Sequence, residues 1–223
     1  ALPISYLERE YAWLAGLGFL GRNTCLIHEK LGSGFFLGVA LTDLVVDGLP
    51  EAGLPALEPL YAALPRRRHA TPVAPVTRCG SCTRCVEACP TQAILPEGGL
   101  DAGRCLSTWT IEWRGQAPAG SEAEQGGLLF GCDICQAVCP WNLRAAAAQR
   151  PGLPPPREGY APLAAHAELT LRDIAGIDDD VFSARFRRTP LWRAHPDGMR
   201  RNAERVLANL DAATAGPLPP KEA

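Results

Sequence analysis

Apolar and polar positions along the 223-residue chain separate into stretches of different period. Between Leu7 and Leu17 the apolar positions recur at helical spacing, which predicts a helix. Glycines then interrupt the pattern at 16, 18, 21, 32, 34 and 38, marking places where the backbone turns or passes close to something. The run "FFLGVALTDLVV", residues 35–46, is almost continuously apolar and rich in β-branched residues, and predicts a buried strand. Pro50, Pro55, Pro59 and Pro65, with Arg66, Arg67, Arg68 and His69, make residues 48–76 an exposed insertion with room for one short helix. Five prolines between Gln149 and Pro162 read as a linker. The tail, 163–212, is helical in pattern. Its positions Met199, Ala203, Val206, Leu207 and Leu210 share one face, which leaves Arg200, Arg201 and Arg205 to point outward.

No apolar run reaches the roughly 18 to 20 residues that span a bilayer, and the N-terminus lacks the order of a signal peptide, so the chain reads as cytoplasmic and without a membrane partner. A balance of 22 basic against 24 acidic residues, −2 overall, sets up no global field for nucleic acid. Nine cysteines change the picture, because thiols in a reducing compartment point to metal or redox chemistry before disulfides.

Eight of the nine form two half-motifs. Cys79-x2-Cys82-x2-Cys85-x3-Cys89-Pro90 has the spacing that presents three thiolates to one [4Fe–4S] cubane, while the cysteine before proline reaches the other cluster. Cys105 and then Cys132-x2-Cys135-x3-Cys139-Pro140 supply the second, split copy. The expected ligand sets are therefore Cys79, Cys82, Cys85 and Cys139 for one cluster, and Cys89, Cys105, Cys132 and Cys135 for the other. Structural zinc more often pairs two CxxC units across a long spacer, so three cysteines in seven residues followed by CysPro favour iron and sulfide. Cys25 is left over and reads as a small buried hydrophobe. Such a pair of clusters moves single electrons, so the bond-breaking chemistry belongs elsewhere.

Gly16-x-Gly18-x-x-Gly21 matches a dinucleotide fingerprint in form only, since a helix precedes it where a strand is required. The same region opens a more specific resemblance. "LEREYAWLAGLGFLGRNTCLI", "GSGFFLGVALTDL", "CGSCTRCVEACPTQAI", "CLSTWTIEWRG", "GCDICQAVCPWN" and "FRRTPLWRAHPDGMRRNAERVLANL" follow one another as in the epoxyqueuosine reductases, and the chain resembles the C-terminal two-thirds of such an enzyme. The resemblance implies an α+β architecture. Residues 1–76 are the end of a cobalamin-binding α/β domain with a Pro-rich insertion, 77–148 a bacterial two-[4Fe–4S] ferredoxin-like domain, and 149–223 a linker with a HEAT-like helical tail.

What the resemblance implies for function is cobalamin-dependent reduction of epoxyqueuosine to queuosine in tRNA, fed through the two clusters. It places cobalamin against Asn23, Thr24, Leu26 and His28, with Ser107 and Asp133 from the cluster loops. No histidine sits in D-x-H-x-x-G: Leu26 holds the acidic position before His28, and Arg193 holds it before His195. A base-off cofactor without a histidine ligand is expected, as in the family. The family's proton-donor aspartate falls six residues before Glu8, where this chain has Leu2, which assigns no catalytic residue here and reads as loss of the N-terminal part.

The resemblance also implies a tRNA anticodon loop as partner, contacted by Arg9, Arg200, Arg201 and Arg205, and an external one-electron donor such as flavodoxin or ferredoxin; the sequence leaves the oligomeric state open, with a monomer as the expectation. Seven arginines between 185 and 205, against Asp197 and Glu204, suit phosphate contact, with a solvated basic face as the other reading. Trp109 and Trp113 suit core packing, with stacking on a nucleobase as the alternative. Two other functions stay open: a ferredoxin-like electron carrier without cobalamin, and a relative of the corrinoid reductive dehalogenases.

Overall fold

The structure, a computed structural model, describes residues 8–39, 78–96, 98–116, 122–148 and 168–214. It divides into two compact units, Ala1–Ala88 with Ile94–Asp101 and Cys135–Ala148, and Cys89–Ala93 with Ala102–Ile134 and Gln149–Ala223. The cysteine segment is shared between both units, because its middle part packs with the tail.

In the first unit, helix α1 (Glu8–Leu14) falls inside the expected helix, and Leu7 lies outside the described residues. A hairpin that the glycine-rich pattern conceals follows it. Strands β1 (Phe19–Leu20) and β2 (Leu26–Ile27) pair antiparallel, Phe19 opposite Ile27 and Leu20 opposite Leu26. The glycines are what allow the strands to come so close: a Cβ on Gly18 would lie 2.4 Å from the carbonyl oxygen of Ile27. Thr24 closes the turn by donating its N–H to the Gly21 carbonyl, with its own φ at +63°. Leu20 and Leu26 pack on Ala12 of α1, with Trp13, Phe35 and Leu37 around them. The strand expected over 35–46 does not begin at its described end. Residues 35–39 form no ladder, and Phe36 is 95% exposed; residues 40–46 lie outside the described residues.

Short helices α2 (Arg84–Glu87), α4 (Ile134–Ala137) and α5 (Pro140–Ala147) carry or follow the cysteines, and α5 opens with Pro140 in its first turn, where a missing N–H costs nothing. Asn142 of α5 ties this segment to the hairpin's extension. Its Oδ1 accepts from the Ser33 N–H at 2.6 Å, while its Nδ2 donates to Ser33 Oγ at 2.9 Å and to the Gln136 carbonyl at 2.8 Å. Gly32 sits against it at φ +69°, where a Cβ would lie 2.1 Å from Asn142 Oδ1. Gly32→Ala is therefore expected to destabilise the protein by about 2–4 kcal/mol through clash and backbone strain together. Thermal unfolding checks this, and a variant melting with the wild type would show that the network gives way freely.

The second unit is built on the tail. Helices α6 (Leu171–Ala175), α7 (Asp179–Phe186) and α8 (His195–Thr214), with a 3₁₀ turn at Pro190–Ala194, bury Ile174, Phe182, Phe186, Met199 and Ala203 in one core. Thr170 and Asp173 form a capping box on α6, and Asp178 caps α7. The expected apolar face of α8 buries Met199, Ala203 and Val206, whereas Leu210 near the helix end stays 48% exposed. Helix α3 (Glu122–Gln125) and a turn of π-helix at Thr108–Glu112 pack against α8. No helix among the described residues is long and apolar enough to cross a membrane.

Candidate metal centre

Four thiols meet at one cavity of the first unit. Cys79, Cys82, Cys85 and Cys139 line a space of about 510 Å³, part of it open to solvent. The hairpin makes one wall: Phe19 and Ile27 pack with Cys139, Cys79 and Trp141, and Phe19 meets the Trp141 ring edge-on at 5.2 Å. Burial pushes the Cys85 thiol up to about 11, helped by the neighbouring thiols of Cys135, Cys79 and Cys139. Iron binds the thiolate, so it would displace the Cys85 proton on binding. Among the described residues no three His, Cys, Asp or Glu side chains gather at the spacing of a single ion. Four thiols lining one cavity are the donor set of a cubane, and these residues would hold it.

Backbone donors already aim at the sulfurs. The Arg22 N–H points at Cys79 Sγ at 3.5 Å, and the Ala93 N–H at Cys89 Sγ at 3.2 Å, with Thr91 Oγ1 3.6 Å from the same sulfur. Such bonds stabilise thiolate ligands and tune a cluster's potential. The second expected set is distributed: Cys89, Cys105 and Cys132 belong to the second unit and Cys135 to the first. In the second unit the Cys105 carbonyl accepts from the Trp109 N–H, and Gly131, just before Cys132, donates to Thr110 Oγ1 at 3.0 Å. Cys25 is half-buried rather than fully enclosed.

The expected cobalamin contacts fit only in part. Leu26 turns its side chain into the hairpin core, and buried Asn23 spends its amide locally, accepting from the Cys25 N–H at 3.3 Å and donating to the Cys135 carbonyl at 3.4 Å. That leaves half-buried Thr24 and half-buried His28 as the first unit's partly exposed members of that set. His28 Nδ1 accepts from the N–H groups of Lys30 at 3.1 Å and Leu31 at 3.2 Å. Ser107 is half-buried beside the π-helical turn and Asp133 is exposed between Cys132 and Cys135. Leu2 lies outside the described residues.

The arginines depart most from expectation. Arg9 clamps the hairpin turn, donating to the Thr24 carbonyl at 2.7 Å and its Oγ1 at 3.2 Å. Arg200 turns back onto the Ile177 carbonyl at 2.8 Å and pairs with Asp179 and Asp197. Arg201 donates to the carbonyls of Trp109, Trp113 and Gly115 at 2.8, 3.1 and 2.8 Å, and burial lowers its pKa. Neither points outward as the helical pattern predicted, because both answer carbonyls and carboxylates brought in from other segments. Arg205 is half-buried. Trp109 is buried, its indole N–H on the Gly103 carbonyl at 2.6 Å, in keeping with core packing. The sequence did not single out Arg22, Arg78, Arg84 and Arg144, which also line the cysteine cavity. Adjacency held the signal, since Arg78 and Arg84 each directly precede a cysteine of the motif.

Comparison with known proteins agrees with this geometry. Residues 78–142 match the 4Fe-4S double cluster binding domain. An epoxyqueuosine reductase of Cyclobacterium marinum is 35% identical over 88% of this chain and 53% of its own length, and one of Gloeobacter violaceus is 37% identical over 90% and 55%. Among solved structures, the epoxyqueuosine reductase of Streptococcus thermophilus superposes with a TM-score of 0.63 at 25% identity, over 94% of this chain and 47% of its own. A crystal structure of an epoxyqueuosine reductase with a tRNA-Tyr epoxyqueuosine-modified stem loop gives 0.62 at 26%, over 93% and 47%. The chain spans about half the length of the curated relatives it matches.

Proposed function

We propose, from its likeness to epoxyqueuosine reductases along about nine-tenths of its sequence, that this chain is the cluster-bearing part of an enzyme that reduces epoxyqueuosine to queuosine in tRNA. The observation that carries the reading is the meeting of Cys79, Cys82, Cys85 and Cys139 at one cavity, inside a segment matching a double-cluster domain. Turning an epoxide into an alkene takes two electrons and two protons and releases water. Two clusters in series suit the delivery of those electrons one at a time from an external flavodoxin or ferredoxin.

Cobalamin, when bound, supplies the metal-centred reduction that opens the epoxide. On this reading the segment Asn23–His28, with its half-exposed Thr24 and His28, is its seat in the first unit. The lack of a D-x-H-x-x-G pattern around any histidine favours a base-off cofactor. Arg9 acts by holding Thr24 in its left-handed conformation, so its effect on RNA would be indirect. With Arg200 and Arg201 spent on the fold, phosphate contact by the tail falls to exposed Arg187 and Arg188.

The test is anaerobic reconstitution with iron and sulfide, then cobalamin, followed by metal analysis and EPR. About eight irons per chain and a cob(II)alamin signal without nitrogen splitting are expected. Retention of zinc in place of iron would refute the cluster assignment. Eight irons without cobalamin, in the full-length protein, would favour the plain electron carrier.

A further inference from the structure

The arginines around the cysteine cavity carry a further inference. Arg22 is spent on the fold: its guanidinium donates to the Pro96 carbonyl at 2.7 Å and the Gly80 carbonyl at 3.2 Å. Arg78 pairs with Glu29, both side chains about half exposed. Arg84 and Arg144 are exposed, and neither meets a carboxylate among the described residues. Arg144 lies 4.5 Å over the Trp141 ring, which holds it at the mouth without neutralising it. Four guanidiniums and, among the described residues, no carboxylate line this opening, with Glu29 paired to Arg78 and Glu87 three residues after Arg84, which gives it a positive field in a chain whose total charge is −2. An opening with low-dielectric walls concentrates such a field.

Half-buried Cys82 lies in the same opening, so a cluster held there would stand within electron-transfer reach of the surface. We propose that this mouth is the docking surface for an acidic one-electron carrier protein of the small flavin or iron–sulfur class. The first cluster is then the point at which its electron enters the chain. One electron leaves the reduced carrier and one enters the cluster, and no bond forms or breaks. The inference rests on the cluster reading above. The arginines share one opening with the cluster thiols, which suits a compact acidic electron carrier better than a phosphate backbone.

The experiment uses the reconstituted chain and purified flavodoxin. Affinity is measured by titration at two salt concentrations, beside affinity for a short anticodon stem-loop RNA. In Arg84→Glu/Arg144→Glu, flavodoxin binding at low salt should weaken by about ten-fold or more and lose most of its salt dependence. RNA affinity and iron content should stay as in the wild type, and Arg84→Lys/Arg144→Lys should bind the carrier within about three-fold of it. Unchanged flavodoxin binding in the charge-reversed variant overturns the proposal, as does a selective loss of RNA affinity, which would give the surface to nucleic acid. Iron content reports on the cluster reading separately, so failure of one is not mistaken for failure of the other.

Discussion

Replacing Cys89 with alanine is expected to remove the cluster built on Cys105, Cys132 and Cys135, while the one adjacent in sequence survives. Iron should fall from about eight to about four per chain. One observation supports the crossing. The contacts cut the first motif between its third and fourth cysteines, with Cys79, Cys82 and Cys85 in the unit that holds Cys139, and Cys89 in the unit that holds Cys105 and Cys132; of the second set only Cys135 falls in the first unit. The single variant loses about four irons on either wiring, so the decisive variant is the double one, Cys82→Ala/Cys89→Ala. Crosswise ligation takes one ligand from each cluster and should leave little iron. Ligation by sequence neighbours takes both from one cluster and would leave about four. Circular dichroism separates loss of clusters from loss of the fold, and four irons in the double variant would reverse the ligand assignment.

The cysteines were legible because their geometry is local: a ligand loop of seven residues is written in its spacing, and Pro90 and Pro140 mark where each loop ends. The wall they face was not. Phe19–Leu20 and Leu26–Ile27 are two-residue strands, too short to show a period of two, and their flanking glycines read as interruption until the Ile27 carbonyl is seen filling the space a Cβ on Gly18 would need. The run at 35–46 is apolar enough for a strand, yet a strand also needs a partner edge, and its described part, 35–39, pairs with none among the described residues. The tail shows how far periodicity reaches. It identified the face of α8 through Met199, Ala203 and Val206, but the fate of Arg200 and Arg201 depends on carbonyls and carboxylates outside the pattern. Asn202 is invisible in the same way, a polar residue on the buried side of the helix.

Asn202 should nonetheless be among the most costly residues to change in the second unit. It is 1% exposed, and its side-chain amide donates to the Thr110 carbonyl at 2.8 Å and the Leu129 carbonyl at 3.0 Å. Its own carbonyl accepts from the buried Gln125 amide at 3.3 Å. Thr110, fully buried, passes the link on, donating its hydroxyl to the Leu106 carbonyl and receiving the Gly131 N–H. One side chain thus joins α8 to the segment after Cys105 and, through Gly131, to the segment entering Cys132. Asn202→Ala strips a donor from two interior carbonyls and leaves a small void, a loss of about 2–4 kcal/mol. For a chain of this size that lowers the melting temperature by roughly 6–12 °C. Glu204→Ala, exposed on the same helix, should leave it within about 1 °C. The loss should not stop at stability: with Cys105 and Cys132 less firmly placed, the variant should surrender about half its iron to a chelator before the wild type does. Unchanged melting in Asn202→Ala would mean that water can replace the amide. Lower melting with unaltered iron release would mean that the network supports the tail alone.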